Sequence, residues 1–110
     1  MTSAWMYLIA AGLLEIGWPL GLKWAQGATE TRGTLAGVLL AIVAMGLSGV
    51  LLYMAQKEIA LGTSYAVWTG IGAAGTFVIG VWFFGDPNTI GRWLGAALIV
   101  GGVATLKLAH

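Results

Sequence analysis

Four long apolar stretches alternate with three short polar ones along the chain. The first runs from about residue 4 to 22 and carries one charge, Glu15, near its middle. The second, 33 to 55, and the third, 61 to 84, carry none. The fourth, 89 to 107, has Arg92 near its start and Lys107 at its end. Between them lie Lys23 to Arg32 with Gln26-Gly27 and Thr29, then Gln56-Lys57-Glu58, then the turn Gly85-Asp86-Pro87-Asn88, whose proline can begin the next element. A helix needs roughly 20 apolar residues to cross a bilayer. Each stretch meets that length, and none alternates as barrel strands do. The pattern predicts an all-α integral membrane protein, with four short transmembrane helices in one domain over residues 1–110.

Composition narrows the class further. Only 8% of the 110 residues are charged, against about a quarter in a soluble domain. That excludes a soluble enzyme domain and a disordered tail. A formal net charge of +1 leaves no basic patch for nucleic acid. There is no cysteine, hence no disulfide framework, thiol chemistry or cysteine zinc site. No catalytic constellation, metal site or cofactor motif is expected. The single histidine, His110, reads as a solvated terminal residue. Met1-Thr2-Ser3 lacks the basic start of a cleavable leader, so none is expected.

Aromatic and small residues fit this arrangement. Trp5, Trp24, Trp82 and Trp93 fall near segment ends with Tyr7, Tyr53, Phe83 and Phe84, as an interfacial belt does. Trp18 and Trp68 lie deeper, near the depth of Glu15. Glycines occur at helical spacing as Gly17/Gly21, Gly33/Gly37 and Gly91/Gly95, which lets backbones approach closely. The run with Gly70, Gly72 and Gly75 reads either as packing or as a hinge. Lys57 and Lys107 fall on one side of the predicted bundle, and Lys23, Arg32 and Arg92 on the other. So even a split gives no clear orientation. The chain is expected to insert both ways and to pair with an inverted copy of itself.

Glu15 is the one ionisable residue deep in a span. Burying a carboxylate there costs several kcal/mol unless it is paired or protonated, so it is read as a functional group. Lys23, two turns away, can snorkel to the interface instead of pairing with it. Trp18, at i+3, shares its face and offers an N–H donor and an aromatic surface for a cation. Pro19, at i+4, lacks a donor and is expected to kink the helix there. Tyr65 and Trp68 share a face in the third segment, where plain packing is the bland reading. Ser48, the mid-span hydroxyl of the second segment, either bonds back to the carbonyl at i−4 or faces this group. Together they describe an aromatic box with one acid, suited to a small organic cation. Met45 lies at i−3 from Ser48, and Gly49 has no side chain. That wall is read either as a portal toward lipid or as ordinary packing.

These residues resemble the small multidrug resistance transporters over essentially the whole chain. The resemblance rests on Gly12-Leu13-Leu14-Glu15-Ile16-Gly17-Trp18 and on Gly62 to Ala73, with Gly95-x-x-Leu98-Ile99-x-x-Gly102-Val103 similar to the family's dimerisation stretch. Trp68-Thr69-Gly70-Ile71-Gly72-Ala73 and Leu106-Lys107-Leu108 are similar to the guanidinium-exporter subtype. The resemblance implies an antiparallel, dual-topology homodimer in the bacterial inner membrane. It implies one shared site, with Glu15 of both copies binding substrate or protons in competition. It also implies that Trp18, Ser48, Tyr65 and Trp68 line or organise that site, and that Gly95, Leu98, Ile99, Gly102 and Val103 form the dimer interface. Two positions depart from the family's pattern: Pro19 replaces a small helix former, and Gly49 replaces a bulkier residue.

The expected function is proton-coupled export of guanidinium and small substituted guanidinium cations, with lipid and a second copy as partners and no cofactor. Guanidinium can give two parallel N–H bonds to one carboxylate, whereas a quaternary ammonium has no donor. A broad exporter of quaternary or hydrophobic cations is the alternative within the family. A small structural or regulatory membrane subunit is the alternative outside it, and such a subunit would tolerate Glu15→Gln.

Overall fold

The computed structural model describes residues 3–109; His110, Met1 and Thr2, with the terminal readings attached to them, lie outside these described residues. The order is α1 (Ser3–Glu15), α2 (Gly17–Gly27), α3 (Thr31–Gln56), α4 (Leu61–Phe83) and α5 (Ile90–Ala109). Helices α1 and α2 together form one candidate span, Ser3–Gly27, and α3, α4 and α5 form three more. Four helices long and apolar enough to cross a membrane therefore make up the described chain. The first span runs past Leu22 to Gly27, so Gln26 and Gly27 are helical, and Arg32 sits in the first turn of α3.

The first span is interrupted at Ile16, not at Pro19. The cause is the missing N–H of Pro19, which leaves the Glu15 carbonyl without its donor four residues on. The chain tightens there: the Ile16 N–H bonds the Leu13 carbonyl at 3.3 Å, and the ladder resumes with Leu20 N–H on the Ile16 carbonyl at 3.3 Å. By contrast α4 is one uninterrupted helix through Gly70, Gly72 and Gly75. The α4–α5 connection turns at Gly85, whose φ of 70° suits glycine. Pro87 stays outside the next helix. Thr89 caps α5 instead, its hydroxyl accepting from the Arg92 N–H at 3.4 Å and its carbonyl from the Trp93 N–H at 3.1 Å.

Helix α3 packs across α1 and α2, α4 packs on α1, and α5 packs on α4. The α2–α3 crossing is backbone against backbone. A Cβ on Gly21 would lie 2.6 Å from the Gly37 carbonyl oxygen, and one on Gly37 would lie 2.6 Å from that of Gly21. Ala25 and Ala41 extend the same contact. Close van der Waals approach is the available adhesive where lipid is as apolar as leucine. At the other end, Trp5, Leu8, Ala55, Ile59 and Val67 form the main buried cluster.

Helix α5 has no buried residue, and large apolar side chains such as Leu35, Leu39 and Ile42 on α3 point outward. The molecule is flat, 46 × 34 × 18 Å, with a radius of gyration of 15.1 Å, where a compact domain of this length would have about 13 Å.

Candidate substrate site at the break in the first span

Glu15 ends α1, immediately before the break. One carboxyl oxygen, Oε1, is buried without a hydrogen-bond partner. The carboxyl interacts with the side chain of Trp18 across the break. Its room comes from α4: a Cβ on Gly72 would sit 2.6 Å from Glu15 Cγ. The neighbouring glycines work the same way. Gly12 admits Ile71, Gly70 admits Val103, and Gly75 admits Ile16. The glycine run of α4 is thus a row of seats for side chains of α1, α5 and the break.

One turn toward the N-terminus, a hydrogen-bonded relay joins three helices. The Trp68 indole N–H donates to Ser48 Oγ at 2.8 Å, and Ser48 donates to the Ala11 carbonyl at 2.6 Å. Ser48 is fully buried, and its hydroxyl is spent on α1 instead of on its own helix. Ala11 precedes Glu15 by one turn, and Trp68 precedes Gly72 by one turn. The relay therefore fixes α3 and α4 against α1 beside the carboxyl. Tyr65 stacks at a tilt on Trp68, with ring centres 5.5 Å apart, and its ring is otherwise exposed.

Below Glu15 the α2–α4 interface opens into a cleft of about 170 Å³, lined by Ile16, Pro19, Leu20, Lys23, Thr76 and Asp86 among others. Three of the five cations lie on aromatic rings. Lys57 is 5.3 Å from the Tyr53 ring centre, Arg92 5.2 Å from Phe77, and Lys107 5.4 Å from Trp5. Among the described residues, no three His, Cys, Asp or Glu side chains come together as metal ligands do.

Ser48 and Trp68 thus meet one turn before Glu15, Trp18 follows Glu15 across the break, and Tyr65 stands at the edge of Trp68. Met45 and Gly49 lie on the outer side of α3, and a Cβ on Gly49 would meet nothing within 4 Å. The α5 stretch divides. Ile99 and Val103 turn toward Gly70 of the chain's own α4, whereas Gly95 and Gly102 are open and Leu98 is exposed. One participant escapes sequence reasoning, the Ala11 carbonyl, which no residue type marks; spacing marks Gly72 for packing or a hinge, but does not show the Glu15 side chain it faces.

Known proteins extend the comparison. A family model described as Small Multidrug Resistance protein matches residues 3–99. A guanidinium exporter of Yersinia pseudotuberculosis is 43% identical over 106 residues, covering 96% of this chain and 98% of the relative. One from Proteus vulgaris is 44% identical with the same coverage. One from Salmonella typhimurium is 41% identical, covering 96% and 97%. Agreement at this level over nearly the full length leads to one conclusion: the chain belongs to the small multidrug resistance family and is a multi-pass protein of the inner membrane.

Proposed function

We propose that this chain exports guanidinium and small substituted guanidinium cations in exchange for protons, making and breaking no covalent bond, and that it works as an antiparallel, dual-topology homodimer. The observation that carries the reading is the buried, unpartnered Oε1 of Glu15 in mid-span. A lone carboxylate in hydrocarbon needs a counter-ion or a proton. Guanidinium satisfies both carboxylate oxygens through two parallel N–H bonds. A proton neutralises the same group, so the two ligands exclude one another. Exclusion at a site that opens to one face at a time produces antiport. The names of the near-full-length relatives support guanidinium as the cargo.

The homodimer reading is supported by the flat shape of one copy, by α5 without buried residues and by its open glycines at 91, 95, 101 and 102. One chain of four spans cannot enclose a midplane site and present it to both faces; an inverted copy supplies the symmetry other transporters obtain from inverted repeats. Gly95 and Gly102, which face open space, and the exposed Leu98 are the residues proposed to meet the second copy. Ile99 and Val103 would shape that surface from behind. Residues 1–110 form a single transporter domain in this reading.

The test is proton release. Purified protein in detergent and weak buffer receives guanidinium at a pH where Glu15 is partly protonated. The reading predicts protons released in proportion to protein, and none from Glu15→Gln. Equal release from both proteins would refute it.

A further inference from the structure

Pro19 has a consequence for the site beyond the bend it causes. A helical carbonyl points along the axis toward the residue four positions on. The Glu15 carbonyl therefore points at the Pro19 ring, which has no N–H to give. The next donor along, the Leu20 N–H, goes to the Ile16 carbonyl at 3.3 Å instead. An acceptor left so in a membrane interior is costly unless a donor arrives.

Its position is informative. Glu15 reaches Gly72 of α4, and Ile16, Pro19 and Leu20 line the cleft against Thr76 of the same helix. Glu15 and Pro19 thus share the α4-facing side of the span. The carboxyl meanwhile interacts with Trp18, on the far side of the break. The chain therefore presents two acceptors from one residue at one gap: a carboxylate whose Oε1 lacks a partner and a backbone carbonyl without a helical donor.

We propose that the Glu15 carbonyl is a second acceptor for the bound cation, and that Pro19, acting through it, is a positioning residue that selects planar ions with N–H donors on more than one edge. This rests on the proposed function of the site. Guanidinium carries N–H groups on all three edges. One edge satisfies the carboxylate, and a remaining N–H reaches the carbonyl. The protonated bicyclic guanidine triazabicyclodecene keeps the charge and the delocalised core, but its two N–H groups lie parallel on one edge and are spent on the carboxylate. Pro19→Ala supplies the missing N–H, closes the helical bond and withdraws the second acceptor.

Binding of guanidinium and of protonated triazabicyclodecene to purified protein, followed by tryptophan fluorescence, tests the proposal in wild type, Pro19→Ala and Pro19→Gly. Loss of one hydrogen bond to a charged group corresponds to about ten-fold or more in affinity. The expected result is that loss for guanidinium in both variants, with the bicyclic ion, which has no further N–H to give, changed less than about two-fold. Unchanged guanidinium binding overturns the proposal, and so does an equal loss of both ions, which marks a general displacement of the site. A second measurement does not depend on the variants folding. With glutamate labelled ¹³C at its backbone carbonyl, in a Glu30→Gln, Glu58→Gln background, the infrared amide band of Glu15 should shift to lower frequency when guanidinium binds. A band that stays in place while guanidinium binds refutes the second acceptor and leaves the proposed function intact. A wild-type chain that binds no guanidinium refutes both.

Discussion

Replacing Ser48 by alanine removes one oxygen from the centre of the bundle and should loosen three helices at once. The Ser48 hydroxyl is fully buried, donates to the Ala11 carbonyl at 2.6 Å and accepts from the Trp68 indole at 2.8 Å. The two lost bonds are unequal. The Ala11 carbonyl keeps a helical donor in the Glu15 N–H, since α1 runs through Glu15. The Trp68 N–H keeps nothing, and an orphaned donor costs about 1–3 kcal/mol. Interhelical hydrogen bonds inside membranes average about 0.6 kcal/mol and reach about 1.7. The expected destabilisation of Ser48→Ala is therefore about 1–2 kcal/mol. Reversible unfolding in mixed micelles reads it. Trp68→Phe removes the donor and keeps an aromatic ring, so the double variant isolates the pair. The relay predicts a coupling of about 0.5–1.5 kcal/mol in this cycle. Guanidinium affinity should fall in both single variants and fall little further in the double. Strict additivity in stability and binding would show that Ser48 and Trp68 act separately, and would refute the relay.

Gly21→Leu should be among the most damaging single changes. Its side chain must displace the Gly37 carbonyl and the Ala41 backbone, so α2 and α3 separate, at a cost of about 2 kcal/mol or more in the same unfolding assay; wild-type stability would contradict the crossing. Gly49→Phe meets open space within the chain and should leave stability within about 0.5 kcal/mol. If this wall admits substituent tails, the ring should reduce export of butyl-guanidine much more than export of guanidinium. Equal losses would assign Gly49 to packing between copies. A C-terminal tag should be accessible from both faces of the membrane, and two or three lysines added at one end should bias insertion and lower activity until an oppositely biased copy is supplied. A tag found on one side only would remove the antiparallel homodimer.

The four spans were legible because charge is so scarce that its positions mark the helix ends. Chemistry was legible at Glu15 for the same reason, a single charge in mid-span. The break in the first span was legible only in part. Pro19 signals a kink, but its effect falls where the carbonyl it abandons lies, at Glu15–Ile16. Ser48 had two acceptors open to it, its own helix or another, and only packing brings the Ala11 carbonyl within 2.6 Å. The run from Gly70 to Gly75 had two readings as well. Each glycine faces a side chain from α1, α5 or the break, contacts that connect distant parts of the chain, and α4 remains one helix. The α5 stretch shows the same limit. Spacing alone does not tell that Ile99 and Val103 reach Gly70 of α4 while Gly95 and Gly102 face open space.

The central claim is that protons and guanidinium exclude one another at Glu15 and thereby drive each other across the membrane. Proteoliposomes holding a pH-sensitive dye, with no initial proton gradient, test it directly when an inward guanidinium gradient is imposed. The account predicts that wild-type protein moves protons outward as guanidinium enters, and that Glu15→Gln vesicles stay silent although the variant inserts and dimerises. Guanidinium entry without proton movement, or proton movement that survives in Glu15→Gln, would contradict it.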